Sequence, residues 1–289
     1  MEHSIGEGMP LNNPLYELSE VSYRYHASIP ALDRFSLVIY PGESLAILGA
    51  NGSGKSTLLQ LLDGLIFPSS GTITAFNELL TEEKLETNAF RSFFRSRVGF
   101  VFQNPEIQLF CPTVFDEVAF GPLQLGLPSG EVIKRVEDVI AMLGISPLKD
   151  RTSGQLSGGE KKKVAIASVL SLNPQVLLLD EPTNALDLRT RHWFIDLIGE
   201  LRKAGKTIVT ATHELSIVEK ISSRVIVLAE DHTIAADGTP AEVVTNHEIL
   251  HKANIVHESD TSKYYHHPDE QVKANNVIPI PLAAADRKK

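Results

Sequence analysis

Nine consecutive residues near the start of the chain combine glycines, a lysine and hydroxyl side chains at a spacing suited to phosphate binding. They are Gly49, Ala50, Asn51, Gly52, Ser53, Gly54, Lys55, Ser56 and Thr57, and they fit the pattern G-x-x-x-x-G-K-[ST]. The glycines allow backbone N–H groups to approach an anion closely. Lys55 can reach the β- and γ-phosphates of a nucleotide, and the Ser56 hydroxyl can ligate Mg²⁺.

The residues on either side of this phosphate loop supply the context that the pattern requires. Residues 44–48 are a short apolar run, which is typical of a buried strand. After the loop, leucines recur at helical spacing, and a helix N-terminus adds unpaired N–H donors for an anion. The order strand, loop, helix favours a phosphate-binding site over a glycine-rich turn with a chance lysine.

Two acidic residues follow a second apolar run. Residues 176–179 are all Val or Leu, as expected for a parallel strand buried on both faces, and Asp180 and Glu181 come next. The carboxyl ends of parallel strands are where α/β sheets place ligand-binding groups. We expect Asp180 to hold Mg²⁺, directly or through water, and Glu181 to orient or deprotonate an attacking water. A solvated turn is the alternative interpretation.

Residues 156–160 combine a helix start with a second potential anion site. Ser157 and Glu160 are three residues apart, as in a capping box, and the apolar residues that follow support a helix. A serine and two glycines at a helix N-terminus can also bind an anion. The sequence alone leaves both interpretations open.

Tyr25 and His213 each have a structural and a functional interpretation. Tyr25 lies between the first two predicted strands, 15–22 and 35–39, where packing is the default for an aromatic residue, although a ring can also stack on a nucleobase. His213 follows the predicted strand 206–211, so it could be a structural histidine or part of the proposed site. Its position at a strand end favours the functional interpretation.

Composition limits the classes of function. The 289 residues are enough for one large domain or two small ones, and a hydrophobic content of 43% allows a sizeable core. The formal net charge of −9 argues against non-specific nucleic-acid binding, which needs a basic face. The single cysteine, Cys111, excludes an intramolecular disulfide and fits a reducing compartment. With no signal peptide and no long apolar segment, we expect a cytosolic chain whose membrane role would require a partner.

The alternation of strands and helices predicts an α/β fold with a largely parallel sheet. Proline and glycine breaks separate helical patterns in the middle of the chain, which indicates an inserted helical subdomain at about 104–170. We predict a flexible leader (1–14), a main domain (15–250) and a partly disordered C-terminal extension (251–289).

Histidines are frequent towards the C-terminus. His247 and His251 are four residues apart, so they would share one face of a helix and could form a metal pair. The alternative is a solvated tail, because histidine-rich tracts are only compositional hints. The other histidines of this region are His257, His266 and His267.

The motifs, taken together and in this order, resemble those of ABC-type ATPases over about residues 15–250. They are the phosphate loop, Gln103, residues 156–160, Asp180-Glu181, residues 185–187 and His213. The resemblance implies an ABC-type nucleotide-binding domain with a phosphate loop, a mostly parallel sheet, an antiparallel β part and a helical subdomain. It also implies ATP and Mg²⁺ as cofactors.

Three further segments, 103–110, 113–122 and 158–164, are similar to the ATPase subunits of energy-coupling-factor transporters, including the cobalt and nickel branch. This resemblance implies an ATP hydrolase that powers import of cobalt or nickel ions, or of a vitamin, through separate membrane subunits. The alternative is a soluble ABC ATPase acting on ribosomes or nucleic acid. Such relatives usually carry two cassettes or a long coiled-coil insertion, which this chain lacks. Residues 104–120 disfavour an exporter.

The resemblance implies a role for each matching position. Catalysis would involve Lys55, Gln103, Glu181 and His213, and Mg²⁺ would be held by Ser56, Gln103 and Asp180. Nucleotide binding would involve Tyr25, Gly49, Asn51, Gly52, Ser53, Gly54, Lys55, Ser56, Thr57, Ser157, Gly158 and Gly159.

Several of these roles concern partners. Tyr25 would stack on adenine, Ser157 and Gly159 would contact the γ-phosphate bound by the opposite protomer, and Asp187 would lie at the dimer interface. Gln103 would couple the site to the membrane partner. The resemblance implies a second ATPase protomer (an identical chain or a paralogue), an integral membrane coupling subunit and a substrate-specific membrane subunit, with the chain at the cytoplasmic face of the membrane and no nucleic acid. Glu160, where many relatives have glutamine, and Asn184-Ala185 are mild departures.

Overall fold

The structure, a computed structural model, describes residues 13–26 and 28–256. Apart from residues 13 and 14, the predicted leader lies outside the described residues, and so does the predicted C-terminal extension from residue 257 onward. His257, His266 and His267 are therefore also outside them.

The described residues form two β-sheets. The strands are β1 (Tyr16–Tyr25), β2 (Ile29–Ile39), β3 (Ser44–Gly49), β4 (Ser70–Ala75), β5 (Glu78–Leu79), β6 (Val98–Val101), β7 (Val176–Asp180), β8 (Thr207–Thr212), β9 (Arg224–Leu228) and β10 (Ile234–Gly238). One sheet has the order β2-β1-β4-β5 and is antiparallel, and the other has the order β10-β9-β3-β8-β7-β6. Only β10 pairs antiparallel in the larger sheet. The predicted fold, a mostly parallel sheet with an antiparallel β part, is confirmed.

Helices connect these strands and cover the larger sheet. They are α1 (Lys55–Leu62), α2 (Glu82–Glu86), α3 (Asn88–Arg95), α4 (Val114–Gln124), α5 (Ser129–Met142), α6 (Gly158–Leu170), α7 (Leu188–Lys203), α8 (Leu215–Ile221), α9 (Pro240–Val244) and α10 (His247–Lys252). Short 3₁₀ turns lie at Pro105–Ile107, Ser146–Leu148 and Ser153–Gln155. Among the described residues, no helix is both long enough and apolar enough to cross a membrane.

Strand β7 shows why the central strands are apolar throughout. Successive side chains of a strand point to opposite faces of the sheet. Leu178 packs in the cluster that contains α1, whereas Leu177 and Leu179 pack in the cluster that contains α6 and α7. Because helices cover both faces, every position of this strand is buried. This burial fixes where the strand ends and therefore where Asp180 lies.

One predicted strand boundary is wrong. The sequence predicted the second strand at 35–39, but β2 begins at Ile29, because it pairs with the far end of β1 through Tyr25 and Ile29. Ile29 and Pro30 are exposed, so no burial pattern marked them. Residue 250, the predicted end of the main domain, lies within α10, and Leu250 and Ala253 are buried in a cluster with β3 and β9; this domain boundary stays a prediction.

Helices α4, α5 and α6 occupy the middle of the chain where the helical subdomain is predicted. Their apolar faces share one cluster, with Val118 from α4, Val136 from α5 and Ile166 from α6. The same cluster includes Val101 and Leu179 of the larger sheet. Helix α6 thus links the helical part to the end of the sheet that carries the candidate site.

Candidate active site

Three neighbouring parallel strands bring the predicted residues together. Strand β8 pairs with both β3 and β7, so the carboxyl ends of all three lie side by side. The phosphate loop follows β3, Asp180 and Glu181 stand at the end of β7, and His213 follows β8. This edge is where open α/β sheets bind their ligands.

The phosphate loop depends on its glycines for close packing. Gly52 and Gly54 have φ angles of 86° and 107°, which disfavour any side chain. A Cβ at Gly54 would lie 2.2 Å from the Ala31 carbonyl oxygen, and one at Gly49 would lie 2.3 Å from Ser53 Oγ. Helix α1 begins immediately after Gly54 with no side-chain cap and no acidic residue in its first turn. Its first N–H groups therefore suit an anion, which supports phosphate binding.

Lys55 is a nearly buried cation at the centre of the loop. Its side chain is 6% exposed, and Nζ donates to the carbonyl oxygens of Gly49 at 2.8 Å and Ala50 at 3.0 Å. Nζ also lies 3.7 Å from Glu181 Oε1. Burial lowers the pKa of Lys55, and the negative charges of Glu181 and Asp180 act in the opposite direction.

Ser56 and Asp180 place two oxygen ligands beside each other. The Ser56 hydroxyl donates to Asp180 Oδ1 at 3.0 Å, across 124 residues of sequence. Burial raises the pKa of Asp180, and the hydrogen bond from Ser56 partly offsets this. A hydroxyl and a carboxylate suit Mg²⁺, which usually binds one or two protein ligands together with substrate phosphates. The described residues contain no group of three His, Cys, Asp or Glu side chains that could hold a metal ion.

Glu181 is held in an unusual conformation. Its φ angle is 41°, in the left-handed region, and its N–H donates to the Ala211 carbonyl at 2.9 Å. Oε1 lies 2.9 Å from His213 Nδ1, whereas Oε2 is buried and has no hydrogen-bond partner. Backbone strain and an unsatisfied buried oxygen both cost free energy and are concentrated at functional sites. The free oxygen can accept a hydrogen bond from a substrate or a water.

The phosphate loop opens into a cavity of about 330 Å³. Its lining residues are Tyr25, Ile29, Pro30, Ala31, Asn51, Gly52, Gly54, Lys55, Ser56, Thr57, Gln103 and Glu181. Tyr25 packs edge-on against Tyr23 with ring centroids 5.0 Å apart, and its hydroxyl lies 3.1 Å from Thr57 Oγ1. Tyr25 therefore packs within the sheet and also lines the cavity, and its stacking on a nucleobase stays a prediction.

Ser157, Gly158 and Gly159 are separate from this cavity. Ser157 Oγ accepts from the Glu160 N–H at 3.3 Å, and Glu160 Oε2 accepts from the Ser157 N–H at 2.7 Å, so the predicted capping box is formed. Ser157 and Gly158 are exposed at the start of α6, and Gly158 lines a different cavity of about 440 Å³. Within one protomer the structure does not bring these residues to the phosphate loop.

A polar network that sequence reasoning missed supports His213. Glu214 Oε2 lies 3.2 Å from Arg191 Nη1 of α7, and Glu214 Oε1 accepts a hydrogen bond from the Thr183 hydroxyl at 3.2 Å. It therefore ties the backbone after His213 to the segment after Glu181. Asp187 caps α7 through the Thr190 N–H at 2.8 Å. No local pattern revealed this network, because its members are up to 31 residues apart.

Lys162 of α6 is a second buried cation that sequence reasoning missed. It is 2% exposed, and burial lowers its pKa to about 8, while Asp180 and Glu181 act in the opposite direction. Lys162 lies among polar residues near the start of α6, so the sequence pattern does not indicate that its side chain is buried.

Comparison with protein families identifies relatives of this chain. The sequence profile of the family described as ABC transporter matches residues 32–184. An ABC transporter ATP-binding protein of Methanosarcina acetivorans is 52% identical over 247 residues, covering 84% of this chain and 90% of the relative. The nickel import ATP-binding protein NikO of Rhodobacter capsulatus is 49% identical, covering 84% and 96%. An energy-coupling factor transporter ATP-binding protein, EcfA2 of Methanospirillum hungatei, is 40% identical, covering 84% and 60%.

Solved structures show the same fold. The protein cbiO1 from Clostridium perfringens, part of the ABC transporter complex cbiONQ, matches with a TM-score of 0.72 and 38% identity, covering 84% of this chain and 96% of that one. The ATP-binding cassette MJ0796, as a dimer bound to ADP and phosphate, matches with a TM-score of 0.69 and 29% identity, covering 78% and 98%.

The packing of the loop predicts unequal effects of two alanine substitutions. Both glycines have positive φ angles, so Gly52→Ala and Gly54→Ala should each strain the backbone by about 1–2 kcal/mol. Only at Gly54 would the new Cβ clash with a backbone atom, because nothing lies within 4 Å at Gly52. We expect Gly54→Ala to lower the free energy of unfolding more than Gly52→Ala, as measured by urea denaturation. Equal losses would contradict the steric argument.

Proposed function

This chain belongs to the ABC transporter family of ATP-binding proteins, and we propose that it hydrolyses ATP to drive import through separate membrane subunits. The main support is that Lys55, Asp180 and Glu181 are all buried beside the start of α1, a helix N-terminus that has no side-chain cap. This set suits nucleotide phosphates on one side and a reacting water on the other. The named relatives are transporter subunits, which does not support the alternative of an ATPase acting on ribosomes or nucleic acid.

We propose a divalent transition-metal ion, nickel or cobalt, as the transported substrate. The support is the 49% identity to a nickel import protein over 84% of this chain. Among the described residues, no group of three His, Cys, Asp or Glu side chains could hold such an ion. We propose that a membrane subunit determines which ion is transported. His247 and His251 share one turn of α10, and their role in metal binding stays an open hypothesis.

In the proposed ATP complex, the phosphates lie against the N–H groups of the loop and the start of α1. Lys55 already lies at this loop, and its amine would exchange the carbonyls of Gly49 and Ala50 for phosphate oxygens. Tyr25 lines the same cavity and offers its ring to the adenine. A bound Mg²⁺, held by Ser56 and Asp180 with Gln103 nearby, would neutralise phosphate charge.

Glu181 is the proposed general base. Water attacks the γ-phosphorus while the bond from that phosphorus to the bridging oxygen breaks, and ADP leaves with the electron pair. The proton of the water passes to the carboxylate of Glu181, whose Oε2 is buried and unpaired. His213 lies 2.9 Å from the other oxygen and fixes the orientation of the carboxylate. The Glu214 network in turn holds the backbone of His213.

A second protomer would complete the site. Ser157 and Gly158 are exposed at the N-terminus of α6 and lie outside the nucleotide cavity of their own chain. We propose that they and Gly159 contact the γ-phosphate of ATP bound to the opposite protomer, with Asp187 at the same interface. The dimeric form of the related cassette supports this arrangement.

An exposed apolar surface supports docking to a membrane subunit. We define the docking patch as Ile107, Phe110, Phe120 and Leu123, whose exposed fractions run from 39% to 69%. Phe110 and Phe120 pack edge-on with ring centroids 4.9 Å apart, so the segment before α4 and the second half of α4 contribute to the same surface. Exposed apolar patches mark interaction sites. We propose that a coupling subunit binds here, which would place the chain at the cytoplasmic face of the membrane.

The role of Glu181 predicts the effect of Glu181→Gln. Glutamine keeps the shape but cannot accept the proton, so kcat for ATP hydrolysis should fall by roughly 100-fold or more, while ATP binding persists. A radiolabelled-phosphate assay and equilibrium nucleotide binding measure the two quantities. Glu219→Gln, which changes an exposed acid on α8, serves as the matched control and should retain parental turnover. Undiminished turnover of Glu181→Gln would refute the assignment.

The shared site predicts complementation between two inactive chains. Ser157→Ala leaves an intact phosphate loop, and Lys55→Ala leaves an intact Ser157, so a mixed dimer has one complete site. With random mixing of equal amounts and independent sites, activity should recover to about one quarter of the parent level. The measurement is ATPase activity after co-refolding or co-expression. Activity no higher than that of the two separate variants would show that Ser157 does not act across the interface.

A further inference from the structure

Lys162 has an environment that stability alone does not explain. Its side chain is 2% exposed, and Nζ donates to two successive backbone carbonyls, of Phe102 at 3.0 Å and Gln103 at 3.0 Å. Burying an ammonium group is costly, and the negative charges of Asp180 and Glu181 offset part of that cost for Lys162. A cation could offset those charges without binding either carbonyl, so the two hydrogen bonds to the backbone point to a second role for Lys162.

The two residues whose carbonyls bind Lys162 directly follow the end of a strand. Strand β6 ends at Val101, so Phe102 and Gln103 no longer pair with β7. Their carbonyls are instead satisfied by a side chain of α6. Gln103 lines the nucleotide cavity together with Lys55 and Glu181.

Gln108 makes a second connection between the same segment and α6. Its Oε1 accepts from the Phe102 N–H at 3.3 Å, and its Nε2 donates to Ala165 O at 2.8 Å and Ser168 Oγ at 3.2 Å. The N–H and the C=O of Phe102 are thus both connected to α6, one through Gln108 and one through Lys162. The backbone at Gln103 must follow any displacement of α6.

A neighbouring ion pair provides a contrast. Lys161 Nζ lies 2.5 Å from Glu106 Oε1, but the Glu106 side chain is 64% exposed. Exposed ion pairs contribute little because water screens them. Lys161 therefore connects the same two elements without fixing the backbone of Gln103.

We propose that Lys162 is a positioning residue that places Gln103 in the nucleotide site according to the position of α6. The inference rests on the proposed function, since it gives Gln103 a part in hydrolysis. Helix α6 starts with the residues proposed to contact the ATP of the opposite protomer. When α6 contacts the partner protomer, the position of α6 would then determine where Gln103 lies in the nucleotide site of the same chain as that helix. The two hydrogen bonds from the Lys162 amine would make this connection.

The test compares Lys162→Met, Lys162→Arg and the matched control Lys161→Met. Methionine removes the donor and keeps an apolar chain, and Phe102 and Gln103 are not buried, so water can replace the amine. We expect Lys162→Met to keep its Tm and its KM for ATP, while kcat falls roughly 10- to 100-fold because Gln103 is misplaced. Lys162→Arg should recover most of kcat, since a guanidinium can donate to both carbonyls. Lys161→Met should match the parent.

A double-mutant cycle separates positioning from a general structural effect. If Lys162 acts through Gln103, Lys162→Met should cause no further loss of kcat in a Gln103→Ala background. Gln108→Leu provides a second variant, with the same expected fall in kcat, if Lys162→Met does not fold. The inference would be overturned if Lys162→Met kept the full kcat of the parent, or if Gln108→Leu did so where it replaces Lys162→Met. It would also be overturned if the losses of kcat in the double mutant were independent. A parent protein with no ATPase activity would instead contradict the proposed function.

Discussion

The structure depends on the balance of charge at one buried edge of a parallel sheet. Asp180 and Glu181 stand at the end of β7 with 6% and 5% exposure, and charges so far from water need partners. Lys55 reaches them from the phosphate loop, and Lys162 acts on them from α6. Because these cations come from two different elements, the positions of the loop and of α6 are both tied to the acids of β7.

Much of this site could be predicted from local sequence. The phosphate loop carries its own signal, because the positive φ of Gly52 and Gly54 and the close approach to Ala31 exclude other residues. The strand before Asp180 was readable because a strand covered on both faces must be apolar throughout. The capping box at Ser157 and Glu160 is likewise a local pattern with a local cause.

The contacts that join distant segments could not be predicted in this way. The bond between Ser56 and Asp180 spans 124 residues, and those of Lys162 with Phe102 and Gln103 span 60 and 59. A sequence pattern indicates which face of an element is buried, but not which polar group it meets across the core. The early start of β2 was missed for the same reason, since its exposed first residues are ordered by pairing with β1.

If this ATPase works with membrane subunits, purification from detergent-solubilised native membranes should recover those subunits with it. A tagged parent chain should bring down two or more integral membrane proteins, identified by mass spectrometry. A matched chain with Ile107→Asp and Phe110→Asp in the docking patch should lose them. Recovery of only soluble proteins, ribosomes or nucleic acid with the parent would contradict the transport function, while leaving ATP hydrolysis intact.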